Sequence, residues 1–469
     1  MKMISLTIAP KPGIAKYCPN FIITLVVLLF VLTVRGAFAQ TPDSLKPIAP
    51  ELLRQDFTMF RDSLEKFHAG LYRYQSKTHM DRLFNRYYAE LDHPMNTVNY
   101  FDIISSVVSG IEDGHTECFM AKETIDQLKA HVKWFPIQVR FIGERAYVPC
   151  NTSEFAAGTE LLSINDRTVN SIREQLFRRL SSDGSNETGK YEKMNGGHDP
   201  FFYLYYVVYG DTSTFTVAYK DSTGNKRIKV LEGADLNHME CPPSEVKVDH
   251  YLRLDYLPGG IAVMTLRSFS NELLNKTREN FADFLAASFK ELKMKGVNKL
   301  IIDLRQNGGG DDMNGALLYR YLTDKPFSFY ASLATTTRQF TAADHPNLAI
   351  QHPETDNYKG KIAFLIDGKS FSGAAEFSAI AKSNDRGPFI GEETGGGYYG
   401  NTSGSKLTIV LPNTHILVNI PLKKYVMAVK KARYKDRGVI PDYNIVPTMQ
   451  DLLRKKDIQM AYAVMLMRR

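Results

Sequence analysis

Apolar residues recur along this chain in three rhythms. From residue 53 to 108 the bulky positions fall three and four apart: Leu53, Phe57, Phe60, Leu64 and Phe67, then Met80, Leu83 and Tyr87, then Phe101, Ile104 and Val108. That spacing lines one face of successive amphipathic helices and predicts an N-terminal helical cap over 45–125. Between 130 and 245 the period shortens to two. WFPIQVRFIGERAYVP alternates as paired strands, and FTVAYKDSTGNKRIKVLEG reads as a hairpin around Thr223-Gly224-Asn225. The polar, glycine-bearing stretch from about 186 to 200 between them reads as a loop. From 250 to 450, short apolar runs (GIAVMTLRSF, KLIIDLR, KIAFLID) alternate with helical segments such as ENFADFLAASFKELKMKG. Buried strands joined by helices imply parallel βαβ units. The fold class is therefore α+β and multidomain: a helical cap, a β-rich module over 130–245 and an α/β core over 250–450.

The first 39 residues follow none of these rhythms. Lys2, Lys11 and Lys16 lead into FIITLVVLLFVLTV, residues 21–34, and Ala37-Phe38-Ala39 supplies the small residues of a cleavage site. This predicts a secretory leader over 1–39, removed before Gln40, and a periplasmic or extracellular protein. The apolar run is short for a membrane span, so membrane association is expected only if the leader stays uncleaved as an anchor. The leader carries four of the 58 basic residues and no acidic one, which leaves 54 against 51, or +3. A balance that small gives nucleic-acid binding no support. Cys18 goes with the leader; Cys118, Cys150 and Cys241 permit one disulfide at most.

The candidate chemistry lies where apolar strands break. In KIAFLIDGKSFSGAAEFSAIAK, Ser372 stands at the junction of a strand and a helix, where free N–H groups and the helix dipole face a developing oxyanion. Taken alone it reads as an ordinary N-cap serine, and it is the company of two further segments that points to a nucleophile. KLIIDLRQNGGGDDMNG ends a second strand in Gly308-Gly309-Gly310, a run that brings backbone N–H groups close to a ligand. Asp311 and Asp312 would repel phosphate there, and no Lys-Ser/Thr pair completes a P-loop. His115, in the polar turn of IEDGHTECF, is the candidate base. With no HExxH, no CxxC and only scattered histidines, neither a metal nor another cofactor is called for. G-x-S-x-G is absent around Ser372 and the best histidine precedes the serine, which disfavours an α/β-hydrolase.

Taken in order, DGHT (113–116), IIDLRQNGGG (301–310), SFSGAAEF (370–377), GEETGGG (391–397) and GVIPDY (438–443) resemble the hallmark motifs of the S41 serine peptidases. That family includes the C-terminal processing peptidases, the tricorn core peptidases and the interphotoreceptor-retinoid-binding-protein-like branch. The resemblance implies Ser372 as nucleophile and an oxyanion hole in the region of the Gly308, Gly309 and Gly373 N–H groups. The processing branch takes a lysine as base where this chain has Gly397. Lys369 and Lys382 are poor substitutes, the latter three helical turns beyond the serine. The tricorn-like branch uses a histidine, which His115 resembles, held by a carboxylate before G-x-x-P-D. The strictly matching position is Lys435 and the nearest carboxylate Asp436, with Asp113 and Glu393 as alternatives. The resemblance further implies a ClpP/crotonase-like core and, in GTELLSINDRTV, a PDZ-like module. The expected activity is that of an exported serine-type endopeptidase acting on peptides or unfolded protein tails. A catalytically silent S41-like protein that binds peptides or small apolar ligands is the alternative.

Overall fold

The computed structural model describes residues 45–196, 199–241 and 248–469. The proposed leader, 1–39, lies outside them. The helical rhythm gives α1 (Pro50–Phe67), α2 (Lys77–Ala89) and α3 (Thr97–Ile111). Ser76 and Asn96 cap α2 and α3 by accepting the N–H groups of His79 at 3.1 Å and Asn99 at 2.9 Å. The stripes predicted from spacing, Leu53, Phe57, Phe60, Met80 and Ile104 among them, are the core of this cap. The left-handed Glu112 stops α3, and after a four-residue turn the chain enters β1 (Glu117–Phe119).

The alternating region forms an antiparallel sheet in the order β2 (Arg140–Ile142), β3 (Arg145–Tyr147), β4 (Glu160–Ile164), β5 (Thr214–Lys220) and β6 (Lys226–Glu232). The β5–β6 hairpin turns where the sequence placed it, with Gly224 at φ +85°. Three helices lie between β4 and β5: α4 (Val169–Phe177), α5 (Thr188–Asn195) and α6 (Phe201–Tyr209). Helix α5 corrects the reading of 186–200 as a loop. Its sequence is polar, but Met194 is fully buried and the Tyr191 ring stands edge-on to Phe177 at 4.8 Å, so tertiary contacts make the helix. Cys150 and Cys241 form a disulfide across the module and Cys118 is free.

In the core, β7 (Leu252–Leu257) pairs antiparallel with β8 (Ile261–Leu266), and β8 is followed in space by β9 (Lys299–Asp303). Helix α7 (Phe281–Met294) connects those two strands. Helix α8 (Asp312–Arg320) and β10 (Tyr330–Ala334) come next, then β11 (Lys361–Ile366), α9 (Gly373–Ser383) and β12 (Phe389–Gly391). A long hairpin, β13 (Thr402–Val410) and β14 (Leu417–Met427), precedes the short β15 (Tyr443–Asn444) and the C-terminal α10 (Ile458–Arg468). The main sheet runs β15-β12-β11-β9-β8-β7, parallel at every pairing except β7–β8. One feature joins cap to core: β1 pairs antiparallel with β14, Cys118 opposite Val418. The turn that carries His115 is thus fixed to the core by a strand two residues later.

Candidate active site

Strand β11 ends at Ile366, the chain turns through Asp367–Phe371, and α9 begins at Gly373. Ser372 occupies the N-cap position at φ +50°, ψ −127°, and its side chain makes no capping hydrogen bond. A non-glycine residue in that region is strained, and the hydroxyl that could cap the helix is left free. The glycine loop fits against it. Gly309 has φ +92°, and a Cβ there would lie 2.6 Å from the Phe371 carbonyl oxygen and 2.7 Å from Ser372 Cβ. Only glycine brings the loop that close. Buried Asn307 holds the loop in place, donating to the Leu266 carbonyl at 3.0 Å and accepting the Gly309 N–H at 2.8 Å. The Gly309 amide, expected among the oxyanion donors, is therefore engaged by Asn307. Among the described residues the N–H groups of Gly308, Gly310 and Gly373 have no acceptor.

His115 stands in the turn between α3 and β1. Asp113 Oδ1 organises that turn by accepting the N–H groups of His115 (3.0 Å) and Thr116 (3.1 Å) and the Thr116 hydroxyl (3.2 Å). The imidazole stacks on Phe371, the residue before Ser372, with ring centres 4.5 Å apart and planes 26° from parallel. A Cβ on Gly114 would meet the Phe371 ring at 2.9 Å, so this glycine permits the stack. His115, Ser372 and Gly310 line one cleft of about 580 Å³. The structure thus brings together the serine, the histidine and the glycine loop, which are 257 residues apart at their widest in sequence.

The carboxylates fall differently from expectation. Glu393 is paired with Arg437 and accepts the Gly438 N–H at 2.7 Å, a structural pairing. Asp436 meets the site through its main chain: its carbonyl accepts the Ser185 N–H at 2.9 Å. No side-chain hydrogen bond or ion pair joins Asp436 to His115 among the described residues. The carboxylates that lie beside the imidazole are Asp113 and Asp183, the second of which the sequence reading did not single out. One nitrogen of His115 and one oxygen each of Asp113 and Asp183 lie within 4.8 Å of one another. SSDGSN (181–186) reads as an ordinary polar turn, so only the fold could find Asp183. Gly397 donates its N–H to Asp183 Oδ2 at 2.9 Å, and a side chain there would strike the Tyr74 hydroxyl at 2.5 Å. The lysine position of the processing branch is thus closed. Lys369 is exposed, and Lys382 is bound to Asp442 at 2.6 Å.

Below Ser372, Glu376 is fully buried and accepts from Tyr330 and Asn401, each at 2.8 Å. Burial first, and then the Asp312 charge, push its pKa up to about 7. In the β module, β2 is one of the two edge strands with which an extended peptide could pair. Asn195 already occupies both main-chain groups of Phe141 there, at 2.8 and 2.9 Å.

A sheet parallel at all but one pairing, with this serine and glycine loop at the carboxyl ends of its strands, defines an α/β core. Residues 260–445 match the family model described as peptidase family S41. The fold is similar to solved structures of mature CPAF. In complex with lactacystin, CPAF shares 15% identity over 89% of this chain and 98% of its own, with a TM-score of 0.59. Without it the figures are 15%, 89%, 97% and 0.57. At that identity the likeness is one of fold. No curated protein sequence matches the chain.

Proposed function

We propose that this peptidase is an exported serine endopeptidase that cleaves peptides or unstructured protein tails through an acyl-enzyme on Ser372. The observation that carries the reading is the uncapped, backbone-strained Ser372 in one cleft with His115 and Gly310. His115 takes the hydroxyl proton as Oγ attacks the peptide carbonyl carbon, and the carbonyl π electrons move onto oxygen. The N–H groups of Gly373, at the head of α9, and of Gly308 and Gly310 stabilise the oxyanion. Collapse expels the amine, which receives the proton from His115. Water, deprotonated by the same imidazole, then hydrolyses the ester and frees Ser372. The leader sequence supports export, as does the Cys150–Cys241 disulfide, a bond typical of oxidising compartments. Among the described residues no helix is long and apolar enough to cross a membrane.

A fluorophosphonate probe is expected to label the mature chain on Ser372 and to spare Ser372→Ala. A folded protein whose Ser372 stays unlabelled, with no turnover of a peptide library, would make the chain a binding protein instead. The same library with free and amidated C-termini tests substrate class. With Asn195 closing the β2 edge, comparable cleavage of both is expected; preference for free carboxylates would show that tails are read.

A further inference from the structure

We infer that Asp183 is the carboxylate that positions His115, an inference that rests on the serine-peptidase reading of the cleft. His115 Nδ1 is buried and has no hydrogen-bond partner, and an unpaired buried nitrogen is costly. A carboxylate oxygen of Asp183 lies within 4.8 Å of the imidazole. Asp183 is itself almost wholly inaccessible, 1% exposed, and is held from two sides. Oδ1 accepts the N–H of Gly114, the residue before His115, at 2.8 Å, and Oδ2 accepts the N–H of Gly397 at 2.9 Å. Each oxygen keeps a lone pair, so the carboxylate can also take an imidazole N–H.

Two other carboxylates compete, Asp113 and Asp436. Asp113 Oδ1 takes three donors from its own turn, while its buried Oδ2, 4.0 Å from His68 Nε2, has no hydrogen-bond partner, which makes Asp113 the rival that the test must exclude. Asp436 explains the sequence expectation while not meeting it. Its carbonyl accepts the Ser185 N–H, and Gly184, at φ +61°, packs so tightly on it that a Cβ would lie 2.3 Å from that oxygen. The segment before G-x-x-P-D therefore braces the loop that carries Asp183. The electrostatics fit a transient cation. Burial and the Asp113 charge raise the pKa of Asp183, while His115 and the Gly114 and Gly397 N–H groups lower it. An imidazolium formed at His115 during turnover gives this buried carboxylate the counter-charge it otherwise lacks.

The test compares Asp183→Asn, Asp113→Asn, Asp436→Asn and Ser372→Ala on one fluorogenic peptide, with a thermal melt of each. Asp183→Asn keeps an oxygen acceptor and is expected to lower kcat by about 10²–10⁴-fold while KM stays within about threefold. The other two carboxylate variants are expected to lose less than about tenfold. If Asp183→Asn folds and retains kcat while Ser372→Ala is dead, the inference fails and the peptidase reading stands; an active Ser372→Ala overturns the reading itself. Should Asp183→Asn not fold, the ¹⁵N shifts of His115 in the unaltered protein and in Asp113→Asn decide. An Nδ1–H tautomer in both is expected, and the Nε2–H tautomer in the unaltered protein, or loss of Nδ1–H in Asp113→Asn, overturns the assignment.

Discussion

The two halves of the site are built by different means. The serine half is local: β11, a short turn, the strained Ser372 and α9 follow one another within 23 residues, and a glycine loop closes on them. The histidine half is assembled from afar. His115 is fixed by its own Asx turn, by the pairing of β1 with β14 and by the Asp183 loop, which is in turn braced by Asp436. The pose of Ser372 is thus encoded in contiguous sequence, whereas that of His115 depends on three distant segments. Changes far from the chemistry should therefore act on the histidine half first.

The largest test of this division is His115→Ala. Because nucleophile and base act as a unit, kcat is expected to fall by about 10⁴–10⁶-fold, with the melting temperature nearly unchanged because the ring is half-exposed. Lys382→Ala, which removes an ion pair with Asp442 and a cation–π contact with Phe389, both away from the cleft, should leave kcat within about twofold. A large loss on removing Lys382 together with a small one on removing His115 would erase the distinction between the two halves.

The same division explains what the sequence revealed. Core strands were legible because they are continuous apolar runs, and the cap because its stripes keep helical spacing. Ser372, Gly309 and His115 were legible because each sits in a motif of a few residues. Asp183 was not, since its partners are the amides of Gly114 and Gly397, 69 and 214 residues away. Helix α5 was missed because two positions, Tyr191 and Met194, are too few to make a readable apolar stripe, and the Phe177 ring that meets Tyr191 lies outside the helix. Of the expected carboxylate residue, Asp436, it is the carbonyl that meets the Asp183 loop, a main-chain contact that no sequence motif announces.

A middle-sized effect separates adjacent glycines of the loop. A Cβ at Gly308 meets nothing within 4 Å, whereas one at Gly309 strikes the Phe371 carbonyl and Ser372 from a left-handed backbone. Gly309→Ala is expected to cost about 2–4 kcal/mol in urea unfolding, from strain of about 1 kcal/mol and a clash of about 1–3 kcal/mol. Gly308→Ala should stay within about 0.5 kcal/mol of the parent. Equal losses at both would mean that the loop's closeness to Ser372 is not what demands glycine.

The smallest effect concerns two buried carboxyls, one under each motif of the serine half. Burial alone would raise Asp303, but the guanidinium groups of Arg305 and Arg267 bind it and hold it at about 2. Glu376 accepts only from neutral Tyr330 and Asn401, so burial and Asp312 raise it from 4.5 to about 7. The signs are opposite. Asp303 binds its proton more weakly folded than unfolded, so its contribution is present above pH 3.8 and lost as pH falls toward 2. Glu376 binds its proton more tightly when folded, so its contribution is full below pH 4.5 and lost as pH rises through 7. Its share has a ceiling on the order of 3 kcal/mol. Chemical denaturation at pH 4.5, 6 and 8 should therefore show stability declining more steeply in the parent than in Glu376→Gln, which keeps an acceptor but cannot ionise. Parallel slopes would mean that Glu376 stays protonated or finds a cation across that range, and the contrast with Asp303 beneath the glycine loop would disappear.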